Sequence, residues 1–565
     1  MSKQRRIVVI GGSAAGPKAA AKARRMDPMA EITIIQKSSD LSMASCGYPY
    51  YVGGCFEDRN QLLCTPTGVV RDPRFFLDAK GINAITDTEV TAINRTGKTV
   101  TTRHGVTGEI AEIPYDKLVI ATGATPILPP VPGADLDGIT TLQSMKDADY
   151  LRKVADEKRI AAAVVVGAGL IGVETCEALN LAGINITVVD MLPQVLMFLD
   201  WEMAKLVENH MKAAGAHIIT GNPVVEFLGV DGKLTGVKLK NGTELPCELA
   251  VVATGVRPAS RLAADAGLEI GATRGIVVNE YLQTSDPDIY AAGDCIETTN
   301  LLTRKKIHAP YGDLANLQGR VVGQNVILGN HEVFPGTYQT GICKVFNFSA
   351  GVTGLSERCA REAGFDTVSV IYAAPDKPGF MGGKLLVLKM VADAATGRLL
   401  GMQCVGPGDV SKRIASAAMA LHGKLTIKEL TVADLPYAPP FSPAIDNFIA
   451  CAHVLEDKMT GQMKGISAAE VKAKVDAREP IYLLDTRDPD EYQAMRLGIG
   501  EVLIPLGALR TRLHELPENK NREIICYCKI SLRGYEAARL LEGYGWTDVK
   551  VMEGGIMAWP FPREK

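Results

Sequence analysis

Twelve cysteines are scattered through this 565-residue sequence without paired spacing, so its thiols read as separate groups rather than as a disulfide scaffold. There is no CxxC, and no Cys/His cluster has zinc-ligand spacing, so no metal is expected. Such usage fits a reducing cytoplasm, where most cysteines are small buried hydrophobes and a reactive one is marked by its surroundings. Two cysteines have marked surroundings. Cys46 lies in SMASCGYPYYVGG, residues 42–54, although an isolated Ser-Cys-Gly is ordinarily a structural cysteine in a turn. Cys528 opens Cys-Lys-Ile-Ser-Leu-Arg-Gly between an apolar strand and a helix, where backbone N–H groups can cradle an anion and Arg533 adds charge. Cys526, two residues earlier, reads as core.

The glycines point to nucleotides. Gly167-Ala168-Gly169-Leu170-Ile171-Gly172 is a complete GxGxxG between a strand and a helix carrying Glu174. Its glycines let the backbone turn tightly and approach a pyrophosphate, which sits where unpaired N–H groups and the helix dipole favour an anion. Asp190 ends the next strand, where a carboxylate can accept from a ribose 2′-hydroxyl. Met191-Leu192 offers no arginine for a 2′-phosphate, which favours NADH over NADPH. The N-terminal turn, Gly11-Gly12-Ser13-Ala14-Ala15-Gly16, has Ser13 at the middle glycine, and its second strand ends in Gln36-Lys37 instead of an acid. A neutral amide can still bond a ribose hydroxyl. The turns at Thr122-Gly123 and Gly255, and Asp294 at a strand end where an acid can hold a flavin's ribityl hydroxyl, strengthen this first site.

These residues must be positioned by two βαβ units, residues 6–36 and 162–190, each strand–glycine turn–Ala-rich helix–strand and of the size of half a dinucleotide fold. LVIATGATP, LAVVATGVRP and DIYAAGDC add strands that run into turns. From about Pro335 short strands and an Ala-rich helix predict an α+β region. The polar stretch EDKMTGQMKG, residues 456–465, reads as a linker, and a small α/β domain follows. With 47% apolar residues, 22% charged and a net charge of −3, nothing points to nucleic acid or an anionic membrane surface. The basic start leads into a strand rather than a signal peptide, and no apolar run approaches a membrane span. His308 and His422 read as structural. Lys344 and Lys389 read as solvated strand charges, and the methionines between 191 and 203 as helix packing.

The order of these motifs resembles the flavin reductases with two dinucleotide sites. Within them, residues 42–54 resemble the active-site segment of coenzyme A-disulfide reductases and NADH-dependent persulfide reductases, and the tail resembles a rhodanese domain. The resemblance implies an α/β fold with two Rossmann-like domains, an α+β dimerisation domain and a C-terminal rhodanese-like domain. The expected boundaries are 1–112 with 271–330 for FAD, 113–270 for NAD, 331–455 for dimerisation, the linker 456–465, and 466–565 for the rhodanese-like domain. It makes Cys46 the redox cysteine beside the flavin, with coenzyme A a further ligand. Tyr437, in YAPPFSP, matches a tyrosine that reaches the partner subunit's site, which implies a homodimer. The family's second tyrosine precedes a Pro-Gly. Pro375-Asp376-Lys377-Pro378-Gly379 lacks it, which shifts the expected substrate from coenzyme A disulfide toward persulfide and polysulfide.

Dithiol flavin reductases carry C-x4-C, but that position from Cys46 is Tyr51, and the next cysteine is Cys55. A single Cys46 thiolate must therefore attack sulfur directly, and a pKa lowered by a helix N-terminus and a nearby flavin would suit it. Cys528 would accept sulfane sulfur and hold it as a persulfide. Rhodanese loops read CxxGxR, and Ser531 replaces the glycine, which adds strain if φ is positive there. Asp485 and Arg487 match the family's DxR, while the histidine and glycine turn expected after it are missing. Two other readings stay open: an NADH oxidase working through a Cys46 sulfenate, and a flavin-loaded sulfur carrier or redox sensor.

Overall fold

The computed structural model describes residues 4–564, which form two compact units. The first contains the residues up to Met191 together with Gly221–Thr337, and the second Leu192–Thr220 together with the chain from Tyr338 onward.

The first unit is built on two parallel sheets. One orders Ile289–Ala291, Lys117–Ile120, Arg6–Ile10, Glu31–Ile35 and Asn83–Ile85. The other places Asn185–Val189, Ala162–Val166, Leu249–Val252 and Ile139–Thr140 side by side. Their central strands are continuous apolar runs because helices cover both faces. Val8, Val9, Val119 and Ile120 are buried in one, and Val164, Val165 and Val251 in the other. The strand Lys117–Ile120 pairs with Arg6–Ile10, so the first sheet extends past the boundary expected at residue 113. Both Ala-Thr-Gly turns lead into one ribbon, in which Ala124–Pro126 pairs antiparallel with Val256–Pro258.

The second unit contains a five-stranded antiparallel sheet ordered Gly341–Val345, Phe348–Gly354, Leu399–Gly406, Leu385–Asp393 and Thr367–Pro375. A parallel sheet follows in the order Gly465–Ile466, Val549–Met552, Ile524–Tyr527, Tyr482–Asp485 and Val502–Leu503. The helix Trp201–Ala213 belongs to this unit, although its residues fall inside the segment expected for NAD binding. Met203 and Met211 bury in that helix, whereas Met191 is exposed, so helix packing accounts for only part of the methionine run.

Two polar clusters inside this unit revise the sequence reading. Lys389 is almost fully buried, not solvated: its Nζ lies 3.2 Å from Asp200, 2.8 Å from Glu357 and 3.5 Å from Glu202. Gln403 and the Glu357 and Arg358 N–H groups also donate to Asp200. The second cluster lies where the linker was expected. The helix Asn447–Met459 runs through the first part of 456–465, because Asp446 caps it and Phe448, Cys451, Ala452 and Leu455 bury one face. Its Lys458 pairs with Glu553, a buried carboxylate after the strand Val549–Met552, which also accepts from the Ile371 N–H at 3.0 Å. Asn209 donates to the Pro560 carbonyl, and Trp201 packs against Phe561. The tail domain is thus docked on the antiparallel sheet rather than strung from it.

Candidate active site

The two glycine turns share one geometry. Gly11 has φ +107°, and an added Cβ would sit 2.1 Å from the Ala121 carbonyl oxygen; Gly167 has φ +110°, with Ala253 O at 2.3 Å. Gly16 and Gly172 each leave 1.9 Å between an added Cβ and the carbonyl oxygen of Gly11 or Gly167. No other residue fits those four positions, so each helix starts against the end of its strand with its N–H groups facing outward. Ser13 and Gly169 are exposed there, Ala14 and Ile171 half-buried. Gln36 Oε1 accepts from the Gly12 N–H at 2.8 Å, and Asp190 Oδ2 from the equivalent Ala168 N–H at 2.6 Å. Both residues therefore brace their own turn, a role the sequence reading did not give them. Lys37 pairs with Glu89 at the surface. Thr122 Oγ1 donates to the Ala259 carbonyl, and Gly123 and Gly255 take positive φ, which ties the two Ala-Thr-Gly turns together.

Cys46 occupies a 3-10 turn, Ser45–Gly47, that leads into the helix Tyr48–Val52, and it is exposed. All twelve cysteines are free. Gly312, first residue of the helix Gly312–Leu328, faces the sulfur: a Cβ there would lie 3.3 Å from Cys46 Sγ. Crowding by protein pushes the thiol up, and the negative charges of Glu174, Asp294 and Asp313 push it further. The chain's own groups thus oppose the lowered pKa expected for Cys46. A local backbone hydrogen bond is the one counterweight.

Glu174 and Asp294 are themselves perturbed. Burial pushes the Glu174 carboxyl up to about 7, although Tyr50, whose hydroxyl lies 3.0 Å away, favours the anion. Burial also raises Asp294, with His308 opposing. His308 Nε2 lies 2.8 Å from the Asp294 carbonyl oxygen, and the neighbouring Gly293 N–H donates to Gln318. Sequence reasoning did not single out Tyr50, Gly312 or Asp313. Tyr50 stands inside the quoted cysteine segment, four residues after Cys46. His422, read as structural, packs edge-on against Tyr338.

In the second unit, Cys528 follows the strand Ile524–Tyr527 and is buried. Ser531 has φ +79°, the left-handed region the sequence reading identified as the source of strain, and its hydroxyl donates to the Met552 carbonyl at 2.7 Å. The Ile556 and Met557 N–H groups bond the Cys528 and Lys529 carbonyls, and Gly534 lets the helix Leu532–Gly543 approach Tyr527. Arg533 interacts with the Cys528 sulfur, and its guanidinium is also countered by acids across the loop. It pairs with Asp488 at 3.1 Å and with Glu491 at 2.7 Å. Asp485 and Arg487 form a buried bidentate pair, and Cys526 is core. Tyr437 is exposed, in a segment held by buried Arg413, which donates to the Asp446 carboxylate and the Asp376 carbonyl.

A profile described as pyridine nucleotide-disulphide oxidoreductase matches residues 5–309, its dimerisation domain residues 340–448, and a rhodanese-like domain residues 467–560. The chain belongs to the pyridine nucleotide-disulphide oxidoreductase family. Among solved structures it is similar to an NAD-dependent persulfide reductase from A. fulgidus, with 42% identity, TM-score 0.93, and coverage of 98% of this chain and 100% of that one. It is also similar to the reduced CoADR-RHD of Bacillus anthracis, with 33% identity, TM-score 0.91 and 98% of each chain covered. A Pyrococcus furiosus protein named NAD(P)H sulfur oxidoreductase (CoA-dependent) is 33% identical over 457 residues, 80% of this chain and 100% of that protein. Among the described residues, no helix is long and apolar enough to cross a membrane.

Proposed function

We propose that this protein is a homodimeric, NADH-dependent flavoenzyme that reduces the sulfur–sulfur bond of persulfides or polysulfides at Cys46, with Cys528 as a carrier of sulfane sulfur. The carrying observation is the exposed Cys46 thiol facing Gly312, in the unit that also holds the two braced glycine turns. The turns fit dinucleotides: close glycine approach and outward N–H groups suit two pyrophosphates, and Asp190 with the apolar Met191 favours NADH. Bound FAD and NADH supply the electron pair.

The Cys46 thiolate attacks the outer sulfur of R–S–SH, the S–S bond of the substrate breaks, and RS⁻ leaves with the sulfur now on Cys46. Two electrons then cleave the Cys46–S–SH bond, restore the thiolate and release hydrosulfide, and the proton taken up in the turnover goes to RS⁻. Glu174, pushed up to about 7 by burial and facing Cys46 electrostatically, can take up or release a proton beside it. Tyr437 is offered as the residue the partner subunit contributes, with coenzyme A as one thiol carrier and the cytoplasm as the compartment.

The test follows NADH consumption by the purified flavoprotein with air, coenzyme A disulfide, coenzyme A persulfide and polysulfide in turn. Fast turnover of persulfide, lost in Cys46→Ser, is the expected result. Rapid consumption with oxygen alone, or a fully active Cys46→Ser protein, would overturn it.

A further inference from the structure

The arginine of the tail domain's anion loop is countered by its own neighbours. In a loop that takes sulfur from thiosulfate, the reaction pushes two negative charges onto departing sulfite, and an arginine with free N–H groups is the natural stabiliser. Here each terminal nitrogen of Arg533 faces a carboxylate. Nη1 donates to Asp488 Oδ2, and Nη2 pairs with Glu491 Oε2. Burial pushes Glu491 up, but Arg533 and the Asp488 N–H outweigh it and keep it anionic.

The same short helix, Pro489–Ala494, carries Asp490 in its first turn. Two carboxylates, Asp488 and Glu491, thus face the one guanidinium, with Asp490 a third acid on the same helix. Ile530 and the exposed Leu532 make the rest of the loop apolar. Arg533 reaches the Cys528 sulfur, but its charge is countered by two carboxylates, so a dianion approaching Cys528 finds only the exposed Lys529 without such a counter-charge on this loop.

We propose that Asp488 and Glu491 are specificity-determining residues. By holding Arg533 they set the Cys528 loop to accept sulfane sulfur from organic persulfides and to refuse thiosulfate. This rests on the carrier role given to Cys528 above. The accepted step is balanced without an added cation. The Cys528 thiolate attacks the outer sulfur of R–S–SH, the S–S bond of the donor breaks, and the electron pair leaves on RS⁻, giving Cys528–S–SH. With thiosulfate, the same attack must expel sulfite bearing two charges beside an arginine already paired with two carboxylates.

Intact-mass spectrometry of the full-length flavoprotein in a Cys46→Ser background measures the rate at which one sulfur is added to Cys528. Cysteine persulfide and thiosulfate serve as donors. Wild-type loops should load from the persulfide and hardly from thiosulfate. Asp488→Asn combined with Glu491→Gln should raise thiosulfate loading about tenfold relative to persulfide, the effect of removing charges several ångströms away near a protein surface. Asp488→Asn alone keeps the helix-capping oxygen and should move the ratio the same way. A purely structural role would slow both donors together and leave their ratio fixed, which would overturn the proposal. Loading by thiosulfate as fast as by persulfide in the wild type also overturns it, with the carrier role intact. No loading from either donor removes the carrier role itself.

Discussion

Replacing Lys389 with Met tests how the second unit is held together. Lys389 Nζ sits within 3.5 Å of Asp200, Glu202 and Glu357, and the lysine is almost fully buried. Methionine keeps the length of the side chain and deletes the charge, leaving three carboxylates around an apolar atom. Asp200 retains Gln403 and two backbone donors, and Glu357 retains Arg361, so the burden falls mainly on Glu202 and on mutual repulsion. Removing one partner of a buried ion pair costs about 3–5 kcal/mol, which for a unit of this size lowers the melting midpoint by roughly 10 °C.

The pH dependence carries the sharper sign. Burial raises Asp200 and Glu357, but Lys389 and hydrogen bonds outweigh it and hold both below the usual carboxylate range. In the wild type that stabilisation is present above the unfolded carboxylate values and is lost as pH falls below about 4. Without Lys389 burial prevails and the acids titrate high. The deficit of Lys389→Met should then be greatest near neutrality and shrink toward about pH 5, as the acids take up protons. Thermal scans of both proteins across that range read it directly. A loss under about 1 kcal/mol, or a deficit that grows on acidification, would refute the reasoning.

Two further outcomes follow from the sites. Glu174, pushed up to about 7 by burial, should appear as an inflection in the pH profile of kcat/KM for persulfide. Tyr50→Phe removes the hydroxyl that favours the anion, so the inflection should move to higher pH; a shift to lower pH would contradict the pairing. Ser531→Gly relieves about 1 kcal/mol of left-handed strain, but loses the bond to Met552, worth about 1 kcal/mol, and gains unfolded-chain entropy of about 0.5–1 kcal/mol. The melting midpoint should therefore stay level or fall, and a clear rise would show that the hydroxyl bond contributes little.

The parts of this fold that sequence discloses are those governed by neighbours in the chain. Gly11, Gly16, Gly167 and Gly172 are readable because a strand, a turn and a helix within 30 residues leave no room for a side chain. Ser531 is readable because its conformation belongs to the loop itself. Lys389 looked solvated because its three carboxylates lie at 200, 202 and 357, and only folding gathers them. The acids that pair with Arg533 went unread because nothing local reveals Asp488 and Glu491 across the loop. The helix that overruns the expected linker has a polar end, but its buried face begins at Phe448, where the sequence pattern was read as part of another region.

Glu553 gives the tail domain a history as well as a position. The Pyrococcus furiosus relative is matched along its full length by 80% of this chain, so the reductase region exists elsewhere at that shorter size. Here the added domain has inserted a carboxylate between Lys458 and the Ile371 N–H, and Gly465 leaves only 2.0 Å between an added Cβ and that carboxylate. Each such fit converts an optional appendage into a dependency. The tail is thus a structural part of the unit: losing it would uncover Ile371, leaving its N–H without an acceptor and Lys458 without its carboxylate.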